Sequence, residues 1–232
     1  MSVRQAIYQK MDLGRLEYAA AWQLQRELAA ARGADQIPDT LLWVEHPHTY
    51  TLGSAGDERN ILFDAAELAT RGITVHRADR GGDVTYHGPG QIVGYPLLKL
   101  DASGEGLHAD VVAYVRALES VIIRAMARFD IDAGRYPGLT GVWVGLGDDE
   151  PRDPAKIAAI GVRITTRRVT MHGFALNVAP DLEYFRGIIP CGIPDKPVTS
   201  LAAWTGRTFA RADVIGALEA AFAAVFGFRL VE

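Results

Sequence analysis

The sequence predicts an α+β fold, and three observations carry that reading. Short apolar stretches of strand length crowd the middle of the chain. Segments with apolar residues at helical spacing stand at intervals around them. No internal repeat or low-complexity linker breaks the 232 residues, and this length fits one large domain or two small ones.

Residues 16–31 form the first predicted helix, with Ala21, Leu24, Leu28 and Ala31 at helical spacing. Residues 40–45 (TLLWVE) and 49–52 predict strands. Asp64, with Glu67 three residues on, marks a capped helix start, and Gly72 its stop. Residues 73–77 predict a strand. The stretch 80–91, RGGDVTYHGPGQ, reads as a glycine-rich loop, or as a hairpin closed by Gly-Pro-Gly. Residues 92–100 are strand-like, and Pro96 within them points to an edge or a bulge, because it has no N–H to donate. A long helix over 110–129 would bury Val111, Val115, Leu118, Ile122 and Ala125. Strands are predicted at 141–144, 157–164 and 169–178, with the acidic stretch 147–154 as a surface loop. Residues 179–197 carry Pro180, Pro190, Pro194 and Pro197 and read as irregular. The last helix covers 211–226 and stops at Gly227.

Composition narrows the function classes. A net charge of -4 argues against a dedicated nucleic-acid binder. No apolar run approaches the roughly 20 residues of a membrane span, and the N-terminal residues lack the apolar core of a signal peptide. The expected protein is soluble and cytoplasmic. Its 24 basic residues include only four lysines: Lys10, Lys99, Lys156 and Lys196. Arginine stays charged where lysine can lose its proton, so a site needing a titratable amine has few candidates.

Four places could carry chemistry. Cys191 is the only cysteine. A lone cysteine is usually a small buried hydrophobe, but this one stands between Pro190 and Gly192 in irregular chain. A reactive thiol needs a nearby cation, and Lys156 is the candidate. It opens KIAAIGVRI, where the small residues Ala158, Ala159 and Gly161 leave room for a ligand. A Cys–Lys pair makes chemical sense, since the amine lowers the thiol pKa and then moves protons. The loop 80–91 holds four glycines, with Arg80, Thr85, His87 and Gln91 among them. It matches neither a P-loop nor a dinucleotide fingerprint. His172 is followed by Gly173 in a strand, and glycine there allows close approach of a ligand or another backbone. His46 and His48 have no matching Cys/His cluster, so no metal is expected.

Taken in order, these blocks resemble one family. Glu45-His46-Pro47 with Tyr50-Thr51-Leu52-Gly53, then RGGDVTYHGPGQIVGYP, Gly141-Val142-Trp143, the Lys156 block, His172-Gly173-Phe174-Ala175-Leu176-Asn177 and Pro190-Cys191-Gly192-Ile193 match the lipoyl(octanoyl) transferases. The resemblance covers about residues 12–205. It implies a mixed β-sheet flanked by helices, related to the biotin and lipoate ligase catalytic domain, with 1–232 as a single catalytic domain. It implies Cys191 as acyl-thioester nucleophile and Lys156 as the acid/base that lowers its pKa. Arg80, Gly81, Gly82, Asp83, Val84, Thr85, Tyr86, His87, Ala159, Ile160, Gly161, His172, Gly173 and Phe174 would line the acyl-substrate pocket. The implied donor is octanoyl-acyl carrier protein. The implied acceptors are lipoyl domains of 2-oxoacid dehydrogenase E2 subunits and the glycine cleavage H protein. No cofactor, ATP or metal is expected, no nucleic acid or membrane partner, and the default state is a monomer. An oxyanion hole could come from backbone amides near Gly161, Gly192 or Gly81-Gly82. The competing readings are an ATP-dependent lipoate or biotin ligase and a non-catalytic carrier-binding protein.

Overall fold

The structure is a computed structural model describing residues 6–100, 110–147, 153–190 and 196–231. The chain opens with β1 (Ala6–Arg15), α1 (Tyr18–Gly33), β2 (Asp39–Glu45) and β3 (Thr49–Leu52). Next come α2 (Ala65–Thr70), β4 (Thr74–Arg77), β5 (Val84–His87) and β6 (Gln91–Leu97). Then follow α3 (Val111–Ala127), β7 (Ala133–Tyr136), β8 (Leu139–Val144), β9 (Ala155–Ile164) and β10 (Thr170–Asn177). The chain closes with α4 (Leu201–Thr205), α5 (Arg211–Phe226) and β11 (Phe228–Val231).

Among the described residues these strands make two sheets. The larger has eight strands in the order β11-β1-β2-β6-β10-β9-β8-β7, and the smaller three in the order β4-β3-β5. The larger sheet is mixed: β1 runs parallel to β2 and β11, and the remaining neighbours are antiparallel. The expected mixed sheet flanked by helices is present.

Side-chain alternation gives the large sheet two apolar faces. On one face Leu41, Trp43, Ile92, Ala158 and Phe174 meet α3 and α5 through Leu118, Ile122, Leu218 and Phe222. On the other, Leu42, Val44, Val93, Tyr95 and Ala175 lie under Ala21 and Ala29 of α1. The small sheet has its own core of Tyr50, Leu52, Val84 and Tyr86, closed by a 3-10 turn at Leu182–Gly187. The Asp64/Glu67 capping box forms at the start of α2, and Gly227, in the left-handed region, ends α5.

The structure corrects several expectations. Residues 84–87 of the glycine-rich stretch are a strand, not loop, and Gly88-Pro89-Gly90 carries the chain from the small sheet into the large one rather than closing a hairpin. Val111 stands 45% exposed at the start of α3, while Leu118, Ile122 and Ala125 are buried. The first strand, β7, α4 and β11 were not foreseen. The sequence of β1, AIYQKMDLGR, mixes apolar and polar residues without a long apolar run.

Pro96 lies in the sheet interior, because β6 sits between β2 and β10. The β6–β10 ladder runs from Asn177↔Gln91 to Phe174↔Gly94, stops, and resumes as a bridge at Lys99↔Val169. Pro96 has no N–H to offer in the gap. Thr170 mends part of it: its hydroxyl donates to Pro96 O (2.7 Å) and accepts from Leu98 N (2.9 Å). Across the gap, His172 takes a left-handed backbone (φ 57°) and its N–H turns away to Gln25 Oε1 of α1 at 2.8 Å. So Pro96 marks a break inside a central strand, and the break orients His172.

Candidate active site

A cavity lies on the α1 face of the large sheet, roofed by the segment leading into β5. Pairing explains why space exists there. Ala159 opposes Ala175 and Gly161 opposes Gly173, and directly opposed residues share a face. Four small residues thus leave a trough where larger side chains would fill the gap. Gly161 is held to glycine by contact: a Cβ there would sit 2.9 Å from Gly81 O and 3.2 Å from Arg80 Cδ. At Gly173 a Cβ would sit 2.1 Å from Gly94 O.

Arg80 fixes the roof. Its side chain is buried, and Nη2 donates to Thr51 O (2.5 Å) and Oγ1 (2.8 Å) while Nη1 donates to Gly81 O (3.0 Å). Gly81 N–H bonds Val162 O of β9 at 2.9 Å, tying roof to floor. Gly53 gives Arg80 room, since a Cβ there would lie 2.3 Å from Gly82 O and 2.8 Å from Arg80 Nη1.

The inner end of the cavity is aromatic. Tyr18 of α1 stacks on His87 at 5.8 Å, and His46 approaches both rings. Burial pushes the His46 ring down to about 4 and the His172 ring down to about 3, with the Arg80 and Arg163 charges adding to the second shift. His87 is driven well below its usual value, first by burial and then by the neighbouring His46 and Arg80. All three are neutral at pH 7. His172 Nε2 meets Asp79 Oδ1 at 2.7 Å, and Asp79 also pairs with Arg163.

Lys156 is buried at the other end, with Nζ 4.9 Å from the centre of the Trp143 ring. It lines a second, smaller cavity with Phe185, Pro190 and Val198, and Thr85, Ala159 and Ala175 belong to both cavities. It also lines an open groove shared with Gly81, Gly82, Ile160 and Gly161. Cys191, Gly192, Ile193 and Pro194 lie outside the described residues. The chain on both sides of them is anchored. Ile189 N–H bonds Asn60 O (2.9 Å), Lys156 N–H bonds Pro197 O (2.9 Å), and Thr199 N–H bonds Lys156 O (2.9 Å). Asn177 extends the second anchor by donating to Thr199 O at 2.9 Å.

Of the residues expected to line the pocket, the main cavity brings together Arg80, Gly81, Gly82, Thr85, His87, Ala159, Ile160, Gly161, His172, Gly173 and Phe174. Three do not line it, although Tyr86 borders the second cavity beside Lys156 and Asp83 borders the open groove. Val84 and Tyr86 point into the core of the small sheet, on the opposite face of β5 from Thr85 and His87. Asp83 braces the roof by accepting from Asp57 N (3.0 Å) and Asn60 Nδ2. Tyr18, Val93, Tyr95 and Ala175 also line the cavity and were not anticipated. Val93 and Tyr95 alternate along β6 within a block already singled out, so the period of two was a usable signal. Nothing in the sequence marks Tyr18. Among the described residues no group of three or more His, Cys, Asp or Glu is placed to hold a metal ion. No helix among them is long and apolar enough to cross a membrane.

The mixed sheet flanked by helices that carries this trough is a fold shared with lipoate and biotin ligases. The fold matches an archaeal bipartite lipoate protein ligase from Thermoplasma acidophilum (TM-score 0.73, 15% identity, 98% of this chain and 86% of that one). It also matches a lipoate-protein ligase A bound with ATP (TM-score 0.70, 15% identity, 98% and 90%), and more distantly the biotin protein ligase of Aquifex aeolicus (TM-score 0.51, 12% identity, 94% and 69%). The family described as the lipoyl protein ligase A/B catalytic domain matches residues 17–223. The octanoyltransferase of Chloroflexus aggregans is 49% identical over 220 residues, covering 95% of both chains, and that of Solibacter usitatus is 49% identical over 95% of this chain and 93% of its own. The chain belongs to the octanoyltransferases within this family.

Proposed function

We propose that this chain transfers an octanoyl group from octanoyl-acyl carrier protein to a lysine of a lipoyl domain, through a thioester on Cys191. The observation that carries the reading is the position of Lys156. Its side chain ends the apolar trough beside Pro190, the residue before Cys191, and its backbone clasps the chain that follows.

The Cys191 thiolate attacks the donor thioester carbonyl. A C–S bond to Cys191 forms, the C–S bond to the carrier's phosphopantetheine breaks, and the Lys156 ammonium gives its proton to the departing thiolate. The acceptor amine then attacks the Cys191 thioester. A C–N bond forms, the C–S bond breaks, and neutral Lys156 takes the amine's proton, restoring thiolate and ammonium. Each tetrahedral intermediate needs backbone donors for its oxyanion, with amides near Gly81-Gly82, Gly161 and Gly192 as candidates. The donor is already activated as a thioester, so neither ATP nor a metal enters. The acceptors are lipoyl domains of 2-oxoacid dehydrogenase E2 subunits and the glycine cleavage H protein, and the enzyme works as a cytoplasmic monomer.

The test is intact-protein mass over time with octanoyl-acyl carrier protein and an apo-lipoyl domain, without ATP. The expected result is an octanoyl increment on the enzyme, labile to hydroxylamine and missing in Cys191→Ser, followed by a stable increment on the lipoyl domain. Transfer appearing only with ATP and a free acid would make the chain a ligase and remove the role of Cys191.

A further inference from the structure

The inner end of the main cavity is polar where its floor is apolar. Buried polar atoms in folded proteins almost always have hydrogen-bond partners, and each exception needs a reason. Among the described residues the exceptions include Tyr18 Oη, Trp22 Nε1, Gln25 Nε2, His87 Nδ1 and His172 Nδ1. These five lie together. Tyr18, Trp22 and Gln25 share one face of α1 by spacing. Trp22 lies 6.0 Å from the His172 ring, Tyr18 stacks on His87, and Gln25 receives the His172 N–H. Tyr18, His87 and His172 line the main cavity but neither of the two spaces that hold Lys156.

Hydrogen positions follow from the partners. His172 is neutral and its Nε2–H donates to the Asp79 carboxylate, so Nδ1 is a bare acceptor. His46 Nδ1 donates to Leu16 O (2.7 Å), so His46 Nε2 accepts the Tyr95 hydroxyl (2.8 Å) and Tyr95 has no proton left to give. Tyr18 Oη keeps an unused donor. The wall therefore offers one phenol donor and one imidazole acceptor. A hydroxyl complements either group, since it accepts and donates. A methylene pressed against them satisfies neither and keeps water out. His172 pairs with Val162, six residues along β9 from Lys156, so the wall lies roughly 20 Å of strand away, a span that the lysine side chain and a medium acyl chain cover together.

We infer that Tyr18 and His172 form a polar end wall that selects acyl groups by their far end. The cavity takes medium chains that stop short of the wall, or chains that carry a hydroxyl there, and rejects alkyl chains long enough to touch it. Naming an acyl chain as occupant rests on the transfer reading above.

The test uses two acyl groups of nearly equal shape, decanoyl and ω-hydroxynonanoyl. As N-acetylcysteamine thioesters they are titrated calorimetrically into the full chain carrying Cys191→Ala. As acyl carrier protein thioesters they are compared for transfer by the unmodified chain. The hydroxylated chain should bind about tenfold tighter than decanoyl and show a matching advantage in kcat/KM. Tyr18→Phe should bring both ratios close to one. Decanoyl binding as well as or better than the hydroxylated chain overturns the wall, as does an unchanged ratio in a folded Tyr18→Phe variant. The comparison on the parent chain decides even where that variant does not fold. A binding preference without any transfer would keep the wall and sink the transfer reading instead.

Discussion

His46, His87 and His172 are packed into one aromatic cluster, and burial makes the charged form of each ring costly. The sign of the resulting pH dependence is fixed. An unfolded chain protonates histidine near 6.5, whereas the folded His46 and His172 rings wait until about 4 and about 3. Stability is complete above the unfolded value and falls as pH drops through the window below it. At pH 5 each ring should cost about 2 kcal/mol relative to pH 7. Urea midpoints at the two pH values check this, and equal midpoints would mean the rings are hydrated in solution. Lys156 calls for a different experiment. Lys156→Arg keeps a cation near Trp143 but no titratable proton, so turnover should fall at least about 100-fold with circular dichroism unchanged. Turnover close to that of the parent chain would reduce Lys156 to a fixed charge. At this scale the sequence narrows the choice where a residue type is chemically scarce: with one cysteine and four lysines, the proposed nucleophile and base have few alternatives. Tyr18 and Asp79 escaped because a tyrosine on a helix and an aspartate before a loop are common, and only the fold brings Tyr18 to the cavity and Asp79 to His172.

Between β6 and β10 the structure gives up ladder hydrogen bonds beside the cavity. Pro96 interrupts the pairing, and Gly173 lets the backbones approach closely where the ladder ends, its missing Cβ leaving room for Gly94 O. Gly173→Ala should therefore force the strands apart, costing about 2 kcal/mol and lowering Tm by roughly 4–8 °C. Gly161→Ala should instead act on the ligand, because its Cβ meets the Arg80 stem and the roof at Gly81. There the expected outcome is a several-fold higher KM for the acyl donor with a smaller change in Tm, and an unchanged KM would show that the roof yields freely. Most elements were legible because apolar period and caps agree, as at the α2 capping box. Strand β5 was not, since the glycines around it signal loop more strongly than four residues can signal strand. Pro96 was legible only in part: a local rule offers an edge or a bulge, the strand is central with an interrupted ladder, and only the neighbouring Thr170 and Gln25 show how it bears the break.

The site is built where two sheets meet. The small sheet supplies the roof through Arg80 and Gly81, and the large sheet supplies floor and lysine, so neither sheet alone contains the cavity. Such an arrangement was only partly readable in advance. Composition and periodicity gave the α+β class, but strand order depends on pairings between distant segments, such as β1 with β11, that no local pattern encodes. The pairing at Lys156 carries a further consequence. Its amide and that of Thr199 are the two rungs fastening the chain beyond residue 195 to β9. Both are main-chain bonds, so replacing the lysine side chain leaves them in place. Amide hydrogens trade with deuterium only when such rungs open. The exchange rates of these two amides therefore clock how often residues 197–199 lift from β9, separately from anything the Lys156 side chain does.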